Sequence, residues 1–493
     1  MNVFLTGATG VMGMETLIHL MQHNRARGDI KVTVLARDSK VNRRKLRPFI
    51  EKGVEVIWGD LMNPSDVGRG VAQADIVLHV GGMVSPMADW KPELTYRVNT
   101  GSMRNIIDAA LSRQRSGRQI KVVYIGSVSQ YGNRPEGVHW GRCGDPINVA
   151  TFDMYALSKC EAERMLAESG LEWWVSLRQT GIMYDDILFK GSDPISFHVP
   201  VRGCLEWISS EESGGLAASL CVLDLPDNFW RGFYNIGGGE KWRLTNYDFL
   251  NMTLSAVGCP PASESFRRNW FATRNFHGMW FTDSDALESL LHFRSGLSMV
   301  TYMELVQEDL PWYFKLAPLA PAWIIRMVMK LVASRKILGP LNWLAENNEA
   351  RIQAAWGGRE EYARISSWED DAAWRLSRIP THLSHGYDES KPVDSWTVED
   401  LISAAAFRGG KLIGPVHSDS SVATGSPDGK QTSVNPDEAV EWKCAEGHRF
   451  RLTPRTVLKG GHWCPDCLRE ISNDPLAMQR QATRNPFLAQ LLP

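Results

Sequence analysis

The feature that most constrains this chain is its opening. The apolar run Asn2-Val3-Phe4-Leu5 enters the loop Thr6-Gly7-Ala8-Thr9-Gly10-Val11-Met12-Gly13, and a helical pattern follows over Gly13–His23. A G-x-x-G-x-x-G loop between a strand and a helix permits a tight turn. It lets backbone N–H groups approach a pyrophosphate at the positive end of the helix dipole. A glycine triplet alone is weak; in this strand–loop–helix setting it reads as a dinucleotide-binding turn. Its candidate contacts are Gly7, Thr9, Gly10, Val11, Met12 and Gly13.

Up to about residue 180, short β-branched runs alternate with helical stretches. The expected strands are Asn2–Leu5, Lys31–Leu35, Glu55–Trp58, Ile76–Val80, Lys121–Ile125 and Trp174–Leu177, with a helix over Asn99–Arg113 among the connections. Such alternation implies an α/β fold, a doubly wound parallel sheet covered by helices on both faces. With 493 residues the chain exceeds one ordinary core. Residues 1–180 read as the core of a domain spanning 1–310, with 181–310 as a smaller α+β substrate lobe. Residues 311–415 read as a helical extension, 416–438 as a flexible linker rich in Ser, Thr, Gly, Pro and Asp, 439–470 as a small metal-binding module, and 471–493 as a tail. Net charge is −2, which gives no global field toward nucleic acid or an anionic membrane. The strand at the very start leaves no room for a signal peptide, and no uncharged apolar run spans a membrane. Eight thinly spread cysteines fit a reducing cytoplasm better than a disulfide framework.

The second strand ends at Leu35-Ala36-Arg37, with Lys40, Arg43 and Arg44 nearby. An acid there would bind a ribose 2′-hydroxyl, whereas Arg37 suits a 2′-phosphate, so NADP(H) is expected ahead of NAD. The alternative is a solvated basic loop. Asp60-Leu61 follows the third strand, where an acid can meet the adenine amino group. Gly81-Gly82 follows the fourth and lets the backbone pass close to the cofactor.

Tyr155 and Lys159 stand four residues apart, on one side of a helix. A free tyrosine, with pKa about 10, is a poor base at neutral pH, and a neighbouring ammonium favours the phenolate. Upstream, Tyr124-Ile125-Gly126-Ser127 ends a strand on the cofactor edge, where a hydroxyl can hydrogen-bond a reacting carbonyl or alcohol oxygen. With these motifs the chain resembles the short-chain dehydrogenase/reductase superfamily in its extended branch, the NAD-dependent epimerase/dehydratase type, over about residues 1–310. The resemblance rests on Thr6–Gly13, Asp60-Leu61, Asn99-Thr100-Gly101, Ser127 before Tyr131-Gly132, Tyr155/Lys159, Leu177-Arg178-Gln179 (with Gln replacing the family's Pro) and Tyr234-Asn235-Ile236-Gly237. It implies a Rossmann fold, with Asn99 in the cofactor site, Tyr155 as general acid/base, Lys159 tuning it and Ser127 polarising the substrate oxygen. It also implies dimerisation through helices near Asn99–Arg113 and Tyr155–Glu168.

The family's sugar-nucleotide dehydratases place an acidic pair after the position of Ser127, and its epimerases an acid at the end of the second strand. This chain has Val128-Ser129 and Ala36-Arg37. The expected activity is NADP(H)-dependent interconversion of a ketone and a secondary alcohol on an apolar small molecule. The rivals are a nucleotide-sugar epimerase with bound NAD and a non-catalytic dinucleotide sensor acting through its metal module. Met83-Val84-Ser85-Pro86, His139-Trp140 and Thr180-Gly181-Ile182 are expected to line the pocket, and His198 and His277 to contact substrate or to be structural.

Residues 321–336 form a strongly apolar stretch bearing Arg326 and Lys330, either an interfacial helix at a membrane or one packed on the enzyme. Cys444-x3-His448, fifteen residues, then Cys464-x2-Cys467 can close a tetrahedral Zn²⁺ site. Trp442 and Phe450 flank the first pair, and His462 is a spare imidazole that could compete as a ligand. The piece resembles small zinc ribbons, for which a structural Zn²⁺ is expected. A redox Cys-x-x-Cys and a nucleic-acid contact through Arg449, Arg451, Arg455 and Lys459 are the alternatives.

Overall fold

The computed structural model describes residues 1–184, 187, 193–311, 321–365, 367–414 and 433–492. Most of the expected linker 416–438 therefore lies outside the described residues, as do 312–320 of the helical extension and residue 493 of the tail.

Seven parallel strands form the central sheet: β1 (Asn2–Thr6), β2 (Lys31–Ala36), β3 (Glu55–Trp58), β4 (Ile76–His79), β5 (Lys121–Ser127), β6 (Trp174–Gln179) and β7 (Gly232–Ile236), in the order β7-β6-β5-β4-β1-β2-β3. Their unbroken apolar runs follow from burial on both faces. On one face, Val3, Leu5, Val34 and Leu78 pack under α1 (Val11–Arg27), α2 (Lys40–Ile50) and α6 (Ser210–Ser219). On the other, Phe4, Val77 and Val122 pack under α3 (Pro64–Gln73), α4 (Pro92–Arg115) and α5 (Met154–Ala167). Strand order reverses at β1, between β4 and β2, which opens a crevice at the carboxyl ends of the strands. The seventh strand comes from the segment read as the substrate lobe. Its run is short and bounded by Gly232 and Gly237, and only the pairing with β6 makes it a strand.

Beyond the sheet, the extension contributes α7 (Ala322–Ala333), α8 (Pro340–Ala345) and α9 (Glu349–Trp356). Helix α7 packs by Met329, Val332 and Ala333 on Phe197 and Trp270, while Trp323, Met327 and Leu331, at four-residue spacing, are exposed. No helix among the described residues is long and apolar enough to cross a membrane.

The metal-binding segment is part of a larger unit. Strands β8 (Lys411–Leu412), β9 (Val440–Lys443) and β10 (Arg449–Leu452) form an antiparallel sheet. Its core joins Trp442, Phe450 and Leu452 to Trp396, Leu401 and Ala405 of the preceding segment, where α10 (Val398–Phe407) lies. The residues around the cluster have too little apolar surface for a core of their own, so they borrow one. Beyond α11 (Pro454–Leu458) and α12 (Pro465–Asn473), the tail is packed as well, with Ala477, Leu488 and Leu491 buried against Leu383.

Candidate active site and metal cluster

The glycine loop joins β1 to α1 at the crevice. Gly7 has φ 79, and a Cβ there would lie 2.6 Å from the backbone nitrogen of Gly81; a Cβ on Gly13 would lie 2.2 Å from the Gly7 carbonyl oxygen. Glycine is required at both places because backbone passes against backbone. Thr6 accepts the Gly81 N–H on its hydroxyl at 3.1 Å and pairs with Nδ1 of buried His79 at 2.9 Å. Gly10 caps α1 with no side chain in the way. Lys45, a residue unnoticed in the sequence, donates to the Thr9 carbonyl at 2.9 Å and brings a cation to the loop. The Gly10 N–H closes the turn on the Gly7 carbonyl, and the N–H groups of the first turn of α1 point to where a pyrophosphate would fit.

Arg37 stands exposed beyond β2, its carbonyl accepting from Asn42. Of its basic neighbours, Arg43 is committed: it forms a two-bond pair with Asp38 and lies 4.8 Å over the Trp58 ring. Asp38, also unnoticed in the sequence, is thereby engaged. Asp60 accepts the Met62 N–H at 2.8 Å, and Leu61 packs beside Gly81 with its carbonyl held by Asn105. Asn99 ties the next loop to the catalytic helix: it holds both backbone groups of Met83 and donates to Ser158 at 2.9 Å. Space beside Gly82 is bounded by Asn99 and by the Lys159 ammonium.

The three catalytic candidates meet here. Ser127 closes β5, and its hydroxyl receives Ser129 N–H and O–H at 3.2 and 2.9 Å. Asp153 caps α5 by accepting the Ala156 N–H, which presents Tyr155 in the first turn. Ser127 lies beside the Tyr155 hydroxyl and favours its ionised form, while burial, the larger effect, pushes its pKa up to about 12. Lys159, one turn on, donates to the Ile125 carbonyl at 2.8 Å and sits 5.8 Å from the Tyr155 ring. Burial lowers its pKa to about 8, opposed by the Glu163 carboxylate a further turn along. The arrangement holds a neutral phenol and a hydroxyl against one point in the crevice, with a cation behind them.

Substrate-side expectations fare unevenly. His139 and Trp140 do not line the pocket: both donate to or pair with the Ser377 carbonyl and are buried against Trp280, because the short bridge to Trp280-Phe281 draws them into an aromatic cluster. Thr180 and Gly181 pack against Leu205, Glu206 and Trp207. His198 lines a cavity beside α5 with its Nε2 on the Leu338 carbonyl, and burial lowers it to about 4. His277 lies 3.9 Å from Asp153.

Cys444, His448, Cys464 and Cys467 come together, with ligand atoms within 4.8 Å of one another. The three sulfurs each lie 3.5 Å from His448 Nδ1, and Cys444 lies 3.7 Å from Cys467. A tetrahedron with Zn–S bonds of about 2.3 Å has edges of roughly 3.8 Å, so this donor set fits Zn²⁺ without rearrangement. His462 is not among the ligands. Its Nε2 pairs with Glu163 Oε1 at 2.7 Å, fully buried, because the loop before Cys464 points it into the catalytic domain. Through that loop and α12 the module covers α5, the surface expected to pair two chains.

Residues 3–180 match the model of the NAD dependent epimerase/dehydratase family. The chain is 26% identical over 173 residues to 3 beta-hydroxysteroid dehydrogenase type 7 of Homo sapiens, a match covering 34% of this chain and 43% of the human protein, so it spans less than half of that relative's length. It is 24% identical over 288 residues to 2-alkyl-3-oxoalkanoate reductase of Shewanella oneidensis, covering 53% of this chain and 68% of the reductase. Among solved structures, the dTDP-glucose 4,6-dehydratase DesIV of Streptomyces venezuelae, with NAD bound, is similar over 63% of this chain and 98% of its own, at 18% identity and TM-score 0.48.

Proposed function

Residues 3–180 are a domain of the NAD dependent epimerase/dehydratase family, and from that premise we propose that the protein is an NADP(H)-dependent oxidoreductase interconverting a ketone and a secondary alcohol on a small molecule with an apolar body. The observation that carries this reading is the convergence of Tyr155 and Ser127 at the end of the cofactor crevice, with Lys159, fixed by the Ile125 carbonyl, behind them. The nicotinamide cofactor supplies the hydride in reduction and takes it in oxidation. Burial keeps the phenol of Tyr155 protonated, which suits it to give a proton to the forming alkoxide. Ser127 turns its hydroxyl proton to the same oxygen. Lys159 is largely an ammonium at neutral pH and stabilises the tyrosinate left behind. Arg37, exposed and without an ion-pair partner among the described residues, is the group available to a 2′-phosphate, while its neighbour Asp38 is engaged by Arg43 in an exposed pair. Both relatives named as a dehydrogenase and a reductase agree with redox of a carbonyl. Val128 and Ser129 supply no acid beside Ser127 for dehydration.

The four-residue cluster is read as the seat of a structural Zn²⁺, which supplies no step of the reaction. The test is NADPH consumption against steroid, acyl and aromatic ketones, with UDP-sugars as a control set. Turnover of a ketone supports the reading. Silence on every ketone with cofactor retained through purification moves it to the epimerase, and silence with weak cofactor binding to the sensor.

A further inference from the structure

Beside the first turn of α5 lies a small cleft, partly open to solvent, that the proposed reaction does not explain. Its walls come from distant parts of the chain. Asp89 and Pro92 belong to the segment after β4, Phe152 and Asp153 lead into Tyr155, and Trp343 and Arg351 come from the helical extension. The extension thus reaches back to within two residues of the catalytic tyrosine.

Arg351 is unusual. It is mostly buried, its guanidinium lies 4.3 Å over the Phe152 ring and 5.5 Å from the Trp343 ring, and desolvation lowers its pKa. Arg274 lines the same cavity from the substrate lobe, and a side chain at Gly357, which ends α9 with φ 88, would run into its guanidinium at 2.6 Å. Among the described residues, no carboxylate oxygen comes within 4.0 Å of either guanidinium. The nearest opposite charge to Arg351 is Asp89, which opposes the fall in its pKa without coming to ion-pair distance, and a buried cation so loosely matched suits an anion that arrives from outside. The platform is also strained: Phe152 holds φ 68, a left-handed conformation rare for a bulky residue, and is fixed there by its N–H on the Ser472 carbonyl at 2.8 Å.

The acids on the wall match this charge only in part. Burial raises the carboxyls of both Asp89 and Asp153, each also raised by a neighbouring carboxylate, while Arg351 pulls Asp89 back down; one oxygen of Asp89 is buried without a partner. His198 and His277 are lowered to about 4 and stay neutral. A protonated Asp89 or Asp153 is a hydrogen-bond donor, and an arriving anion accepts from it.

We propose that this cavity receives an acidic group at one end of the substrate, a carboxylate or a phosphate ester, held by Arg351 with Arg274. This rests on the oxidoreductase reading for the word substrate. It adds that the molecule is an amphiphile with a carbonyl at Tyr155 and an anion under the extension. Specificity would then come from residues outside the 3–180 domain.

The test is calorimetric titration of the full-length protein with octanoate, octyl phosphate and octan-1-ol, which share an apolar body. At least one acid is expected to bind about tenfold or more tightly than the alcohol. Arg351→Gln should lose about tenfold in acid affinity while leaving the alcohol and NADPH affinities unchanged, and the stronger of the two acids identifies the anion. Equal binding of acids and alcohol, no acid binding, or an unchanged acid affinity in Arg351→Gln overturns the proposal. If that variant does not fold, Arg274→Gln takes its place under the same criteria. No turnover is involved, so acid binding without ketone reduction would sink only the redox reading, and ketone reduction without acid preference only this one.

Discussion

The two halves of α5 face different tasks. The first half, Tyr155 to Lys159, works at the crevice, where contacts are few: the Ile125 carbonyl on Lys159, Asn99 on Ser158, and Ser127 beside Tyr155. The second half anchors the C-terminal module. Glu163, without exposure, takes two bonds from Arg178 of β6, one from Ser176 and one from His462, while Arg178 also reaches the Gly460 carbonyl at 2.6 Å. At the helix end, Glu168 accepts from both the N–H and the hydroxyl of Thr453. The catalytic half is left sparsely tied so that its groups can serve a substrate. The anchoring half is saturated with charge-assisted bonds that only a folded chain can make. One helix therefore couples a reactive site to a structural one.

Mutations can separate the two halves. The largest effect belongs to the front: Tyr155→Phe should lower turnover about a hundred- to ten-thousandfold and leave cofactor affinity and unfolding midpoint unchanged. At the back, Glu163→Gln strands Arg178 in a dry interior, and chemical denaturation should show a loss of about 3–5 kcal/mol. Cofactor binding should survive at low denaturant; a loss below about 1 kcal/mol would mean that the pair is not as dry as its burial indicates. Cys464→Ser is expected to bring bound zinc below one equivalent by elemental analysis, and to expose Trp442 and Trp463 to quenchers, because the cluster closes their core. Full zinc retention would remove Cys464 from the ligand set. Arg37→Ala should weaken NADPH by about tenfold and leave NADH unmoved; equal loss on both cofactors would cancel the proposed preference.

The last expected effect is a pH slope. Asp153 is raised from 3.8 to about 7 by burial and by Asp89. Between those values the folded protein holds a proton that the unfolded chain releases. This contribution to stability is complete below about pH 4 and is lost as pH rises through 7, by at most about 1.4 kcal/mol per pH unit. Asp153→Asn should flatten that slope between pH 5 and 7, read as the unfolding midpoint against pH.

The same contrast accounts for what could be read from the amino acids. The alternation of β-branched runs with helical stretches placed six of the seven strands, and the glycine loop, the four-residue spacing of Tyr155 and Lys159 and the cysteine pairs are local patterns, each tied to a backbone period or a ligand geometry. What escaped depends on partners far along the chain. His462 looked like a spare metal ligand because its partner, Glu163, lies 299 residues away. His139 and Trp140 looked like pocket residues until Trp280 and Ser377 enclosed them. Arg351 and Phe152 carry no motif at all; only the return of the extension across α5 brings them together. Lys45 and Asp38 stood in plain view, but their roles depend on which basic side chain pairs with which acid, and spacing does not decide that.

The most direct test of the central claim follows the hydride itself. With NADPH deuterated at the transferable position and the first ketone found to turn over, the product alcohol should carry deuterium on its carbinol carbon, one atom per cofactor consumed. An alcohol without deuterium, or a product formed with the cofactor label returned intact, would contradict net ketone reduction and point to a reaction in which the cofactor is only borrowed.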